Sequence, residues 1–119
     1  MGNNNVIQEK SFEFALSIIS LYRRLVIDKE YIISKQLLRS GTSIGANIEE
    51  AMAGQSKKDF TAKMAIASKE ARETNYWLRL LDKSELVEIN VLNEQNAVDE
   101  IIRILTAIVK TSQKSLKDN

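Results

Sequence analysis

The chain has 119 residues, with 17 Lys plus Arg, 16 Asp plus Glu, and no His, Cys or Pro. Lack of Cys excludes disulfides, thiolate nucleophiles, Fe–S clusters and Cys-based zinc sites, and lack of His excludes the commonest general base and the Ser–His and Cys–His dyads. With no Pro and only four Gly, the turn punctuation of an all-β fold is missing, so one domain of long helices is expected, and not an enzyme.

The N-terminus Met1-Gly2-Asn3-Asn4-Asn5 is polar and uncharged, with no apolar core of a signal peptide. No apolar run approaches the roughly 18 residues of a membrane span. A cytoplasmic protein with no membrane association is the expectation.

The first helix is expected over about 8–27. Phe12, Leu16, Ile19, Tyr22 and Val26 recur at spacings of 4, 3, 3 and 4, one apolar stripe at helical periodicity. Asp28 is the expected cap of a second helix over about 29–53. Its stripe is Ile33, Leu37, Gly41 or Ser40, Ile44, Ile48 and Met52. Gly41 and Gly45 each cost roughly 1 kcal/mol against Ala in a helix interior. The 3/4 spacing nevertheless passes through them without a phase shift, which favours one continuous helix over a break at Ser40–Ser43. The two glycines share a face, where another backbone can come close.

Gly54 is the expected stop, as the residue just past the helix end. Ser56-Lys57-Lys58-Asp59 then reads as a capping box opening a third helix over about 56–82. Its stripe is Phe60, Met64, Ala67, Ala71, Thr74, Leu78 and Leu81, a heptad that predicts a shallow crossing with a partner helix. Asn90 or Asn93 caps a fourth helix over about 90–115, with Val98, Ile101 or Ile102, Leu105, Ile108 and Ser112 inside. Four helices with short links form an all-α, antiparallel up-down four-helix bundle.

Two blocks of sequence are distinctive. One is Arg39-Ser40-Gly41-Thr42-Ser43-Ile44-Gly45-Ala46-Asn47-Ile48-Glu49-Glu50-Ala51. The other is Asp59-Phe60 followed by Ile66-Ala67-x-Lys69-Glu70-Ala71-x-Glu73-Thr74-x-Tyr76-Trp77-Leu78. Their order and spacing resemble the small bacterial four-helix-bundle proteins first noticed as reading frames in intervening sequences of 23S rRNA genes, also labelled S23 ribosomal proteins. The likeness runs from about Phe12 to Leu105. It implies a homopentamer, a barrel of bundles, with no enzymatic activity and no cofactor. The accessory protein of diversity-generating retroelements looks like a relative. That likeness implies RNA or DNA, or a reverse-transcriptase-like protein, as partner. The relative is strongly basic, and this chain, at net charge +1, departs from it.

The charge is unevenly spread. Residues 54–83 carry seven basic and four acidic side chains, against six and six in 1–53 and four and six in 84–119. Lys57, Lys58, Lys63, Arg72 and Arg79 on the third helix are therefore the candidate nucleic-acid contacts, through phosphates rather than bases. A hairpin turning near Gly54 places Arg39 level with Glu70 and Glu73, where a paired guanidinium would set helix register or a subunit contact; phosphate binding is the alternative. Gly41, Gly45, Asn47, Glu50 and Trp77 complete the register and interface candidates. Asn47 is expected to bond across helices. Tyr76 and Trp77 are adjacent, so one faces the core and the other an interface or a base. Glu49-Glu50 and Glu70-x-x-Glu73 could suggest a carboxylate metal site, but the nearby Lys69, Arg72 and Arg39 more simply neutralise them.

Overall fold

A chain without proline has nothing to interrupt a helix once its apolar stripe is buried. The computed structural model describes residues 2–118, with side chains from residue 6, and shows α1 (Gly2–Ile27), α2 (Ile33–Met52), α3 (Lys57–Ser84) and α4 (Leu92–Lys117). Successive helices run up and down. α1 packs on α2 and α4, and α3 packs on the same two, making a rod of 51 × 22 × 22 Å. Its axis is filled by Ile18, Leu21, Leu25, Leu37, Ile44, Met64, Ala67, Leu78, Ile101 and Leu105 among others.

The expected stripes of α2, α3 and α4 do face this core, with Ile33, Met52, Phe60, Ile102 and Ile108 only half-buried. The expected stripe of α1 does not. Phe12 is 64%, Leu16 54% and Ile19 41% exposed. Ile7, Ser11, Phe14, Ile18, Leu21 and Leu25 point inward instead. Both sets have helical spacing, so periodicity alone cannot choose between them. The choice is made by α2. A Cβ on Gly41 would lie 2.9 Å from the Ile18 side chain, and one on Gly45 would lie 3.4 Å from Ser11 Oγ. The glycines form the groove that receives Ile18 and Ser11, and they leave α2 unbroken.

The turns also correct the expected caps. Asp28 caps nothing. Lys29 takes a left-handed φ of 65°, and α1 closes with Glu30 N–H on the Leu25 carbonyl at 2.8 Å and Lys29 N–H on Val26 at 2.9 Å, a Schellman ending without glycine. Glu30, 5% exposed, then caps α2. Its carboxylate accepts from the amides of Ile32, Ile33 and Ser34 at 2.8–2.9 Å. A negative charge at a helix N-terminus is also favoured by the dipole.

Ser56 caps α3 as expected, accepting from Asp59 N–H at 3.1 Å, but the returning half of the capping box, Ser56 N–H to the Asp59 carboxylate, is not formed. Gly54 is not left-handed. It serves the turn by closeness, because a Cβ there would sit 3.0 Å from the Ala51 carbonyl oxygen. Asn90 Oδ1 accepts from Leu92 N–H at 2.9 Å at the start of α4, while Asn93 lies within the helix.

Candidate functional site

The heptad that buries one face of α3 dictates what the opposite face shows. Seven-residue steps from the core positions Met64, Ala71 and Leu78 leave two adjacent outward columns. One is Lys58, Ala65, Arg72 and Arg79; the other is Ala62, Lys69, Tyr76 and Lys83. Lys58, Lys69, Arg72, Arg79 and Lys83 are all exposed. Among the described residues none of these five forms an ion pair. Arg72 donates to the neutral Thr106 hydroxyl of α4 at 3.1 Å. Lys110, four residues beyond Thr106 on the same helix face, brings a further exposed cation beside the row. From Lys58 to Lys83 the row is about 37 Å long at 1.5 Å per residue.

The other two basic candidates from the sequence lie off this row. Lys63 turns toward α2, where its Nζ meets Glu50 at 2.7 Å. Lys57 reaches α4 and donates to Ser115 Oγ at 3.1 Å. Conversely, Lys69 and Lys83 join the row although they were not among the candidates. Their seven-residue spacing about Tyr76 is the signal that locates them.

Arg39 meets Glu70 and Glu73, the pairing expected from the hairpin. Nη1 lies 3.1 Å from Glu70 Oε1, and Nη2 bonds Glu73 Oε2. Glu73 also accepts from the Trp77 indole N–H at 3.0 Å. The indole bond, then the guanidinium, holds the Glu73 carboxyl below its usual range, and the Glu73 bond above all raises the Arg39 guanidinium. Trp77 packs half-buried against the core, while Tyr76 stays 46% exposed.

Asn47 does not bond across helices. Its amide donates to the Ser43 carbonyl at 2.8 Å, one turn back on α2. Thr42 and Ser43 likewise donate to the Leu38 and Arg39 carbonyls. A helix carbonyl one turn away is always in reach of these short side chains, so the local bond wins. The buried polar bridge between helices lies elsewhere. Thr74 Oγ1 donates to Ser40 Oγ at 2.9 Å, and Ser40 donates to the Gln36 carbonyl at 2.9 Å. Glu49 accepts from Gln8 at 3.4 Å. Among the described residues no three carboxylates converge as a cation site would need.

A second surface lies on the far side of the rod. Phe12, Leu16 and Ile19 line the outside of α1, and a shallow groove beside Phe12 and Ala15 is walled by Thr42, Gly45 and Ala46 of α2. These exposed side chains give α1 an apolar outer strip in addition to its buried one.

A family model described as 23S rRNA-intervening sequence protein matches residues 3–107. The chain belongs to this family. In it, a solved structure from Bacteroides thetaiotaomicron is similar at a TM-score of 0.86 and 49% identity, covering 91% of this chain and 98% of that one. That structure is described as a protein with unknown function from the S23 ribosomal protein family. No curated protein matches. The two blocks that carry the family likeness map onto α2 and α3. Arg39 of α2 bridges to Glu70 and Glu73 of α3, Trp77 bonds Glu73 within α3, and Gly41 and Gly45 seat α1. Among the described residues no helix is long and apolar enough to cross a membrane.

Proposed function

We propose that the chain is a non-enzymatic, cytoplasmic, self-associating scaffold that holds RNA or DNA, or an enzyme acting on them, along α3. The observation that carries this reading is the row Lys58, Lys69, Arg72, Arg79 and Lys83, exposed and without ion-pair partners among the described residues. Keeping like charges in a row costs stability through mutual repulsion. A polyanion removes that cost and releases counterions on binding. The apolar face of α1 supports assembly, and a pentamer is the arrangement the family likeness implies. Repeating the row around a ring multiplies its field.

The test is a mobility shift with RNA and DNA at about 50 mM salt, repeated at about 200 mM, where phosphate-driven binding falls steeply. The double substitution Arg72→Gln, Arg79→Gln is expected to weaken binding and to flatten the salt dependence. Wild-type protein that shifts neither probe leaves the second reading, an oligomer for protein contacts alone. That reading rests on the α1 face.

A further inference from the structure

The row on α3 is not uniform. Its C-terminal third holds a shallow hollow lined by Tyr76, Arg79, Leu80 and Lys83, the one place in the row where an aromatic ring stands among the cations. We infer that this hollow receives an unpaired base of a single-stranded nucleic acid, with Tyr76 stacking on the base and Arg79 and Lys83 holding the flanking phosphates. The inference rests on the reading of α3 as a nucleic-acid surface and adds strand selectivity to it.

A ring on a convex helix surface can reach a base face only if that base is free of its stack, as in single strands, loops and ends. Stacking of this kind tolerates any sequence, because every base has a π-face. Arg79 and Lys83 are four residues apart and project from one helix face about 6 Å apart along the axis, which suits phosphates of successive nucleotides. Leu80, 36% exposed, supplies an apolar floor.

The ring is also held in place. Tyr76 meets Trp77 edge to face, with centroids 5.2 Å apart and planes at 68°. Trp77 donates to Glu73 at 3.0 Å, and Arg39 grips Glu73 in turn. This chain from α2 limits the freedom Tyr76 would otherwise lose on binding. It also neutralises Glu73, the carboxylate three residues before Tyr76. A second copy docking through its apolar α1 face answers the charge less well. The outer face of α1 offers exposed Glu9 and Glu13 beside Phe12, two carboxylates for five cations, whereas a polynucleotide answers all five.

Trp77 is the single tryptophan of the chain, so its emission reports on the hollow. The experiment titrates full-length protein with a labelled 20-nucleotide oligothymidylate and with a mixed-sequence duplex of equal length, reading anisotropy and Trp77 emission. Single strand, but not duplex, is expected to change the emission. Tyr76→Ala is expected to weaken single-strand binding by about 5- to 100-fold, to leave duplex binding within about twofold, and Tyr76→Phe to restore it. If Tyr76→Ala leaves single-strand binding unchanged, or weakens both probes equally, the stacking inference is overturned and the basic row stands. If neither probe binds, the nucleic-acid reading falls with it. If Tyr76→Ala instead lowers the assembly mass by light scattering, the hollow is a subunit contact and the inference is overturned.

Discussion

α1 and α3 are helices of 26 and 28 residues, yet they spend their outer surfaces in opposite ways. α3 is apolar on one side and basic on the other. α1 is apolar on both, with Ile18 sealed in the core and its neighbour Ile19 41% exposed. A one-sided helix announces its buried face, whereas a two-sided helix hides it. The extra apolar face on α1 is surface the protomer alone does not need.

The largest effect expected from this contrast separates two adjacent isoleucines. Ile18→Ala should cost about 2–5 kcal/mol, as deletions in packed cores do. Ile19→Ala should cost less than about 0.5 kcal/mol in denaturant unfolding of dilute protein. Equal losses would mean that the two faces of α1 are equally buried in solution.

The next concerns the groove that chose Ile18. Gly41→Leu should destabilise by about 1–3 kcal/mol, since added bulk meets a core side chain with no room to move. Gly45→Ala should gain about 0.5–1 kcal/mol, because a methyl at ordinary contact from Ser11 adds helix propensity without a clash. Thermal melts of both variants decide it; a destabilised Gly45→Ala would show that α1 and α2 sit closer than this.

A smaller effect belongs to the lock between α2 and α3. The Glu73 carboxyl is held below its ordinary value of 4.5, first by Trp77 and then by Arg39. A lowered folded-state pKa contributes stability above the unfolded value, and that stability is lost as pH falls through the folded value. With Arg39 half exposed, solvent screening keeps this near or below about 1 kcal/mol. Glu73→Gln is expected to flatten the stability loss below about pH 4.5 and to leave stability at neutral pH only slightly lower. An unchanged acid limb would remove Glu73 from that role.

The smallest effect on the fold accompanies the largest on assembly. Phe12→Ser with Leu16→Ser should change protomer stability by less than about 1 kcal/mol. The pair should shift the mass seen by light scattering toward the 13.5 kDa protomer. A wild-type chain already at that mass would leave the outer face of α1 without a subunit partner.

Much of the bundle was readable in the chain, and particular residues show why. The buried face of α3 follows from one unbroken heptad, and Ser56 followed by Asp59 marks its start. The meeting of Arg39 with Glu70 and Glu73 follows from counting back and forward from the Gly54 turn. These are local or hairpin relations, fixed by 3.6-residue geometry and short loops. Of the candidate contacts, Arg72, Arg79 and Lys58 lie on the outer row, whereas Lys63 is paired with Glu50 and Lys57 turns toward Ser115 of α4. The heptad places each lysine on the helix wheel, but it does not reveal what the neighbouring helix puts opposite.

By itself the sequence determined the number of helices, most of their limits and three of their four buried faces. Periodicity, capping and the absence of His, Cys and Pro are properties of single segments or of composition. Tertiary structure alone decided which face of α1 goes inside, because that depends on two glycines of α2 making room for Ile18 and Ser11. It also decided that Glu30 rather than Asp28 caps α2, since the left-handed turn at Lys29 lets the Glu30 carboxylate reach forward to three amides. And it left Tyr76 open beside Arg79 and Lys83 while drawing Trp77 into the Arg39 lock, an arrangement that exists only once α2 and α3 are side by side.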